Sequence, residues 1–200
     1  MKKKILFLSS LVIFSLFIVG CGMKDMDSPT SVVEGFLGKY QSMDSSVLSQ
    51  LDSIISNDTS MNDDQKKDYK ALMERQYQNL SYKIKDEEID GDVATVDVEI
   101  EVFDYASSIN TSREYFKDHQ DEFKSDDSWN GDLENENGEV VGGVIDNLAV
   151  FIDFKIKELM DVTDKTKYDI TFYLSKKDDK WVLDDLNDSD REKIHGLFDE

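Results

Sequence analysis

Cysteine occurs once in these 200 residues, so no disulfide can form within the chain and stability has to come from packing. Basic side chains are also scarce, 23 Lys and Arg against 44 Asp and Glu. That deficit excludes nucleic acid as a partner, because such binding draws on Lys and Arg to neutralise phosphates. Histidine is limited to His119 and His195, and there is no Gly-x-Ser-x-Gly elbow, phosphate-binding glycine loop or His-Glu-x-x-His pair. With so thin an inventory, no catalytic residue, cofactor or metal ligand is assigned and no enzymatic activity is expected. Nor is any apolar run long enough to span a bilayer. The longest, Ile5 to Val19, covers 15 residues, roughly 22 Å as a helix against a hydrocarbon core of ~30 Å.

That run has a different use. Lys2, Lys3 and Lys4 precede it, and Ile18-Val19-Gly20-Cys21 follows, placing small residues before the lone cysteine. The order is that of a secretory signal. Its end resembles the lipobox of bacterial lipoproteins, in which the cysteine thiol receives a diacylglycerol and cleavage makes that cysteine the first mature residue. The resemblance implies lipidation at Cys21, a signal peptide over 1–20, a tether over 21–27 and a location on the extracellular face of the cell membrane. Removing 1–20 takes three lysines and no acids away, leaving a net charge near −24. Contact with the membrane is then expected through the lipid on Cys21 alone, since anionic lipid repels the folded part. A cationic or protein partner suits the charge, and a monomer is expected.

The remaining residues, 28–200, have 39% apolar content over the whole chain and read as a single α+β domain. Ser28 can cap a helix with Pro29 at its first position and Val32, Val33, Phe36, Leu37 and Tyr40 at helical spacing. Asp44 can cap a second helix bearing Val47, Leu48, Leu51, Ile54 and Ile55, and Asn62 with Gln65 forms the capping box of a third. The apolar period then drops from 3.6 to 2. Leu80, Tyr82 and Ile84 alternate with polar residues, Asp90-Gly91 turns, and Ala94, Val96, Val98, Ile100 and Val102 alternate with Thr95, Asp97, Glu99 and Glu101. Residues 110–124 look helical, 125–139 read as an acidic loop, and 144–160 carry Ile145, Leu148, Ile152, Ile156 and Leu159 at helical spacing. A second hairpin runs through Tyr168, Ile170, Phe172 and Leu174, turns at Lys177-Asp178-Asp179, and returns with Trp181 and Leu183, Trp181 being taken as core. Ser189 with Glu192 forms a capping box for a terminal helix. The expected architecture is a set of N-terminal helices packed on a curved antiparallel sheet of two hairpins, with a helical insertion between them.

Three segments, Ser28-Pro29-Thr30-Ser31-Val32-Val33-Glu34-Gly35-Phe36-Leu37, then Met43-Asp44, then Thr171 to Asp184 with Lys177-Asp178-Asp179-Lys180-Trp181, resemble small lipoproteins of unknown function from Gram-positive bacteria. Their domain is similar to the nuclear transport factor two-like fold, whose cone between sheet and helices can hold a ligand. The resemblance implies a lipid-anchored binding or interaction protein; the alternative is a small-molecule-processing enzyme using the cone, and no catalytic motif of that superfamily maps onto a residue here.

Three further features invite chemistry. Asp97, Glu99 and Glu101 share one strand face at ~6.6 Å steps, which suits either an acid–base pair or a solvated outer face. His119 and Glu122 share a helical face, but two ligands do not make a zinc site. The loop Asp126 to Glu134 places oxygen side chains, Gly131 and Glu134 as a calcium-binding EF-hand does, but Asn137 stands where a bidentate Glu is required. A weak calcium site is the most that loop allows. Trp129 in it is expected to fold back and pin the loop. The Asp185 to Asp190 cluster reads as helix capping.

Overall fold

In the computed structural model, which describes residues 28–119 and 145–199, the first three helices begin at the caps their sequences carry. α1 (Pro29–Gln41) starts at Ser28, whose hydroxyl accepts from Ser31 N. α2 (Ser45–Asn57) starts at Asp44, which accepts from Ser46 N, and α3 (Asp63–Asn79) carries the full Asn62–Gln65 capping box. Four antiparallel strands follow in the order β1 (Ser81–Asp90), β2 (Val93–Phe103), β3 (Lys165–Lys177) and β4 (Lys180–Leu183), each neighbouring the next. Between β2 and β3 run α4 (Tyr105–Asp118) and α5 (Ile145–Asp161), and α6 (Asp188–His195) closes the domain. This is the expected α+β arrangement, with helices packed against an open antiparallel sheet and a helical segment between its two hairpins. The expected signal peptide 1–20, Cys21 and the tether 21–27 lie outside the described residues. So does the loop 125–139, with its 126–134 motif, Trp129 and Asn137.

The period of two on β2 puts Ala94, Val96, Val98, Ile100 and Val102 on the helix-facing side, all buried, opposite Ile170, Phe172 and Leu174 of β3. α1 lies on this face, its Phe36 ring edge-on to Phe172 at 5.9 Å. α3 packs beside it, and α5 packs mainly on α3 and α4 rather than on the sheet. Two polar side chains bind α5 to α3. The Gln65 amide, once it has closed the capping box, donates to Ala149 O and Asp153 Oδ1 at 2.8 Å each. Arg75 donates to Val162 O at 2.6 Å, satisfying a carbonyl just beyond the end of α5, and its guanidinium lies 4.0 Å from the Phe103 ring.

Three local expectations need correction. α4 begins at Tyr105, five residues before the helical reading at 110, because the Asp104 carboxylate accepts from Ser107 N and Ser107 Oγ and so acts as its cap. α6 starts from Asn187, not from a Ser189–Glu192 box. Asn187 Oδ1 accepts from Asp190 N while its amide donates back to Asp190 Oδ2, a reciprocal pair two residues upstream. β1 runs to Asp90, as the Asp90-Gly91 turn implies, and absorbs a register shift between Ile84 and Asp86 that leaves Lys85 as the bulged residue. Trp181 is only partly buried, because β4 is a four-residue edge strand, and the Lys176 ammonium sits 5.0 Å from its ring.

Candidate functional site: the outer face of the sheet

Strand register decides what stands beside each outward side chain. Across β1, β2 and β3 the outer face runs in rows: Ser81–Glu101–Lys167, Lys83–Glu99–Asp169, Asp86–Asp97–Thr171, Glu88–Thr95–Tyr173 and Asp90–Val93–Ser175, the last row continuing to Val182 on β4. Asp97, Glu99 and Glu101 thus lie on the solvent side, as a one-sided antiparallel sheet requires.

The first two rows are an ion-pair ladder. Glu99 accepts from Lys167 at 3.0 Å and lies 3.3 Å from Lys85, which also reaches Asp169; Lys167 is 3.9 Å from Glu101. The hydrogen bonds from Lys167 and then Lys85 hold the Glu99 carboxyl below its ordinary range, and in return Lys167 is held above its own. Lys85 is likewise raised, first by its hydrogen bond to Asp169. A general acid needs the reverse, a carboxyl pushed toward neutrality by burial or by a second carboxylate. The chemistry this ladder favours is charge pairing.

The other rows differ. Asp97 accepts from the Thr171 hydroxyl at 2.6 Å, and Asp184 accepts from the Ser175 hydroxyl at 2.8 Å. Among the described residues no lysine or arginine comes within ion-pair distance of Asp86, Glu88, Asp90, Asp97 or Asp184. Between these carboxylates stand Tyr173, 60% exposed, and Val93, 55% exposed. Sequence reasoning singled out Asp97, Glu99 and Glu101 but missed Tyr173. Its only signal was a large aromatic at a polar-phase position of β3, where Lys167, Asp169 and Thr171 precede it.

Among the described residues, the contacts of each histidine are with the helices, not with this face or with the other histidine. His119, just past α4, is exposed and stacked on Tyr115 with centroids 4.1 Å apart, its Nδ1 2.9 Å from Tyr115 O. Glu122, its expected companion, lies outside the described residues. His195 ends α6 with Nδ1 3.2 Å from the Tyr77 hydroxyl and its ring close to Tyr40. Burial, with the nearby Arg191 charge, lowers the His195 pKa to about 4, so the ring is neutral at pH 7. Burial likewise raises Tyr40 to about 12 and pushes Tyr77 up. These three side chains come from α1, α3 and α6 and lock the terminal helix onto the core. No feature of the sequence pairs residues this far apart.

Among the described residues no group of three or more His, Cys, Asp or Glu could hold a metal ion. No described helix is long and apolar enough to cross a membrane. No family model matches the chain, and neither the curated proteins nor the solved structures compared with it provide a match.

Proposed function

We propose that this chain is a bacterial lipoprotein, held by lipid on Cys21 at the extracellular face of the membrane, whose single domain binds a cationic or protein partner and performs no catalysis. The observation that carries the reading is the order of Lys2–Lys4, the Ile5–Val19 run and Ile18-Val19-Gly20-Cys21. The fold fits it. The first helix starts at Pro29, so the six residues 22–27 lie between Cys21 and the Ser28 cap, and the seven Cα–Cα steps reach roughly 25 Å when extended. That is enough to clear the headgroups but not to let the domain roam.

Binding rather than catalysis is favoured by how the space between sheet and helices is used. Phe36, Leu37, Val96, Ile100, Phe172 and Leu174 fill it as buried side chains, whereas an enzyme working in a cone needs that space for its substrate. The likeness to nuclear transport factor two-like domains belongs to the same reading, as does a monomeric state, which the shared negative charge of two copies supports.

Radiolabelled palmitate fed to bacteria expressing the full chain tests the anchor. Label and membrane fractionation are expected for the natural chain, and both are expected to vanish with Cys21→Ser. An unlabelled natural chain in the soluble fraction would end the proposal.

A further inference from the structure

We infer that the end of the outer sheet face centred on Tyr173 is a docking surface for an extended lysine- or arginine-bearing segment of a protein partner. The inference deepens the binding reading above, and rests on it, by naming the surface and the partner's chemistry.

The rows assign the parts. Tyr173 lies directly across from Thr95, with Val93 and Val182 in the next row toward the hairpin tips. Tyr173 and Val93 are more than half exposed, whereas Ala94, Val96, Phe172 and Leu174 on the other face of the same two strands are buried. Around them stand the carboxylates of Glu88, Asp90, Asp97 and Asp184. Asp184 is held against Tyr173 by its own N–H, which donates to Tyr173 O at 2.9 Å. Hydroxyls of Thr171 and Ser175 orient two of these carboxylates, leaving their charge unneutralised. One row farther out, Lys177 and Lys180 stand opposite each other at the β3–β4 turn, where Asp178 and Asp179 have positive φ. At the opposite end of the sheet, Lys85 and Lys167 already neutralise Glu99 and Asp169.

Charge complementarity selects the occupant. An ammonium or guanidinium over the exposed Tyr173 ring gains a cation–π contact, and flanking carboxylates add attraction that raises the rate of encounter. The apolar Val93 and Val182 call for carbon-rich side chains beside that charge, which a polypeptide supplies and a bare metal ion does not. An extended segment repeats its side chains on one side every ~6.6 Å, which suits a pleated surface with strands ~4.8 Å apart. A second copy of this chain is a poor occupant, because its matching face carries the same negative charge.

The test is a nuclear magnetic resonance titration of the mature chain carrying Cys21→Ser, whose described core lies wholly between Val32 and Leu197. The probe is a short peptide alternating lysine and valine. Shifts are expected to centre on Val93, Thr95, Asp97, Tyr173 and Val182, to weaken as salt rises, and to be absent with a glutamate–valine peptide. Tyr173→Ala is expected to weaken binding about two- to five-fold, with its backbone spectrum otherwise preserved. Asp97→Asn is expected to weaken it at low salt, while Glu99→Gln leaves it nearly unchanged. Shifts centred on the helices or on the Ser81–Lys85 end of β1, shifts spread evenly over all acidic residues, no shifts at millimolar peptide, or an unaltered affinity in Tyr173→Ala would each overturn the inference. Shifts confined to another surface would overturn it while leaving the binding reading standing, and the palmitate experiment judges the anchor independently.

Discussion

Replacing Gly196 with alanine separates two contributions to stability that are usually entangled. Gly196 follows the last residue of α6 in the left-handed region, φ +70, with its N–H satisfied by the preceding turn. Holding a residue with a Cβ in that conformation costs roughly 1–2 kcal/mol. The space is the larger obstacle. A Cβ there would collide with the Phe103 carbonyl and the Gln76 amide. Those two groups form a buried hydrogen bond of 3.3 Å, with Phe103 N–H donating to Gln76 Oε1 at 3.0 Å beside it. Parting them leaves buried polar groups unsatisfied, at about 1–3 kcal/mol each. The Gly196 carbonyl, which accepts from Ala106 N at 2.9 Å, would shift as well. The expected loss is about 3–5 kcal/mol, or roughly 6–20 °C in Tm for a domain of this size.

Two other glycines provide controls for the same urea and thermal melts. Gly91 has nearly the same φ, +62, but nothing within 4 Å of its Cβ position, so Gly91→Ala should show the conformational cost of about 1 kcal/mol alone. Gly38 lies inside α1 with open space around it, and Gly38→Ala should stabilise by about 0.5–1 kcal/mol. If Gly196→Ala loses no more than Gly91→Ala, the close packing of α6 against the Gln76–Phe103 pair is not what holds the terminal helix, and the reasoning is refuted.

Gln76→Leu keeps a similar volume but strands the Phe103 N–H and C=O, and chemical denaturation should register a loss of about 2–4 kcal/mol; a loss under about 1 kcal/mol would show that another group takes over both bonds. The pH dependence of stability should carry a signature of His195. Its pKa is about 4 in the folded chain against 6.5 unfolded, so below 6.5 the unfolded state binds the proton first. Stability then falls as pH falls, by about 2 kcal/mol between pH 7 and pH 5 and about 1 kcal/mol more by pH 4, levelling off below about pH 3. Comparing urea midpoints of the natural chain and His195→Gln over that range isolates the effect, and equal declines in both would exclude it.

Much of this architecture was legible because its signals are local. A helix cap is a hydrogen bond across two or three residues, and Ser28, Asp44 and the Asn62–Gln65 box act as their spacing implies. The alternation from Ala94 to Val102 divided one sheet face from the other before any partner strand was known. The helical period over 144–160 is likewise local, and α5 is a helix from Ile145 to Asp161. Where local signals competed, the reading slipped. Asn187 and Ser189 both offer a cap two residues apart, and Asp104 caps a helix whose first turn lacks a strong apolar stripe.

The order of lysines, apolar run and lone cysteine over 1–21, the acidic charge, the lack of a second cysteine and the alternating faces follow from residue identity or from neighbours a few positions apart. Which carboxylates are neutralised and which are not was decided only by the tertiary structure. Glu99 meets Lys167 from 68 residues away while Asp97, two positions earlier on the same face, meets only a hydroxyl. Register sets that difference, and register comes from packing the whole sheet against its helices. The same holds for His195, brought to Tyr77 across 118 residues, and for Tyr173, an aromatic on the solvent side of the strand whose neighbours Phe172 and Leu174 are buried.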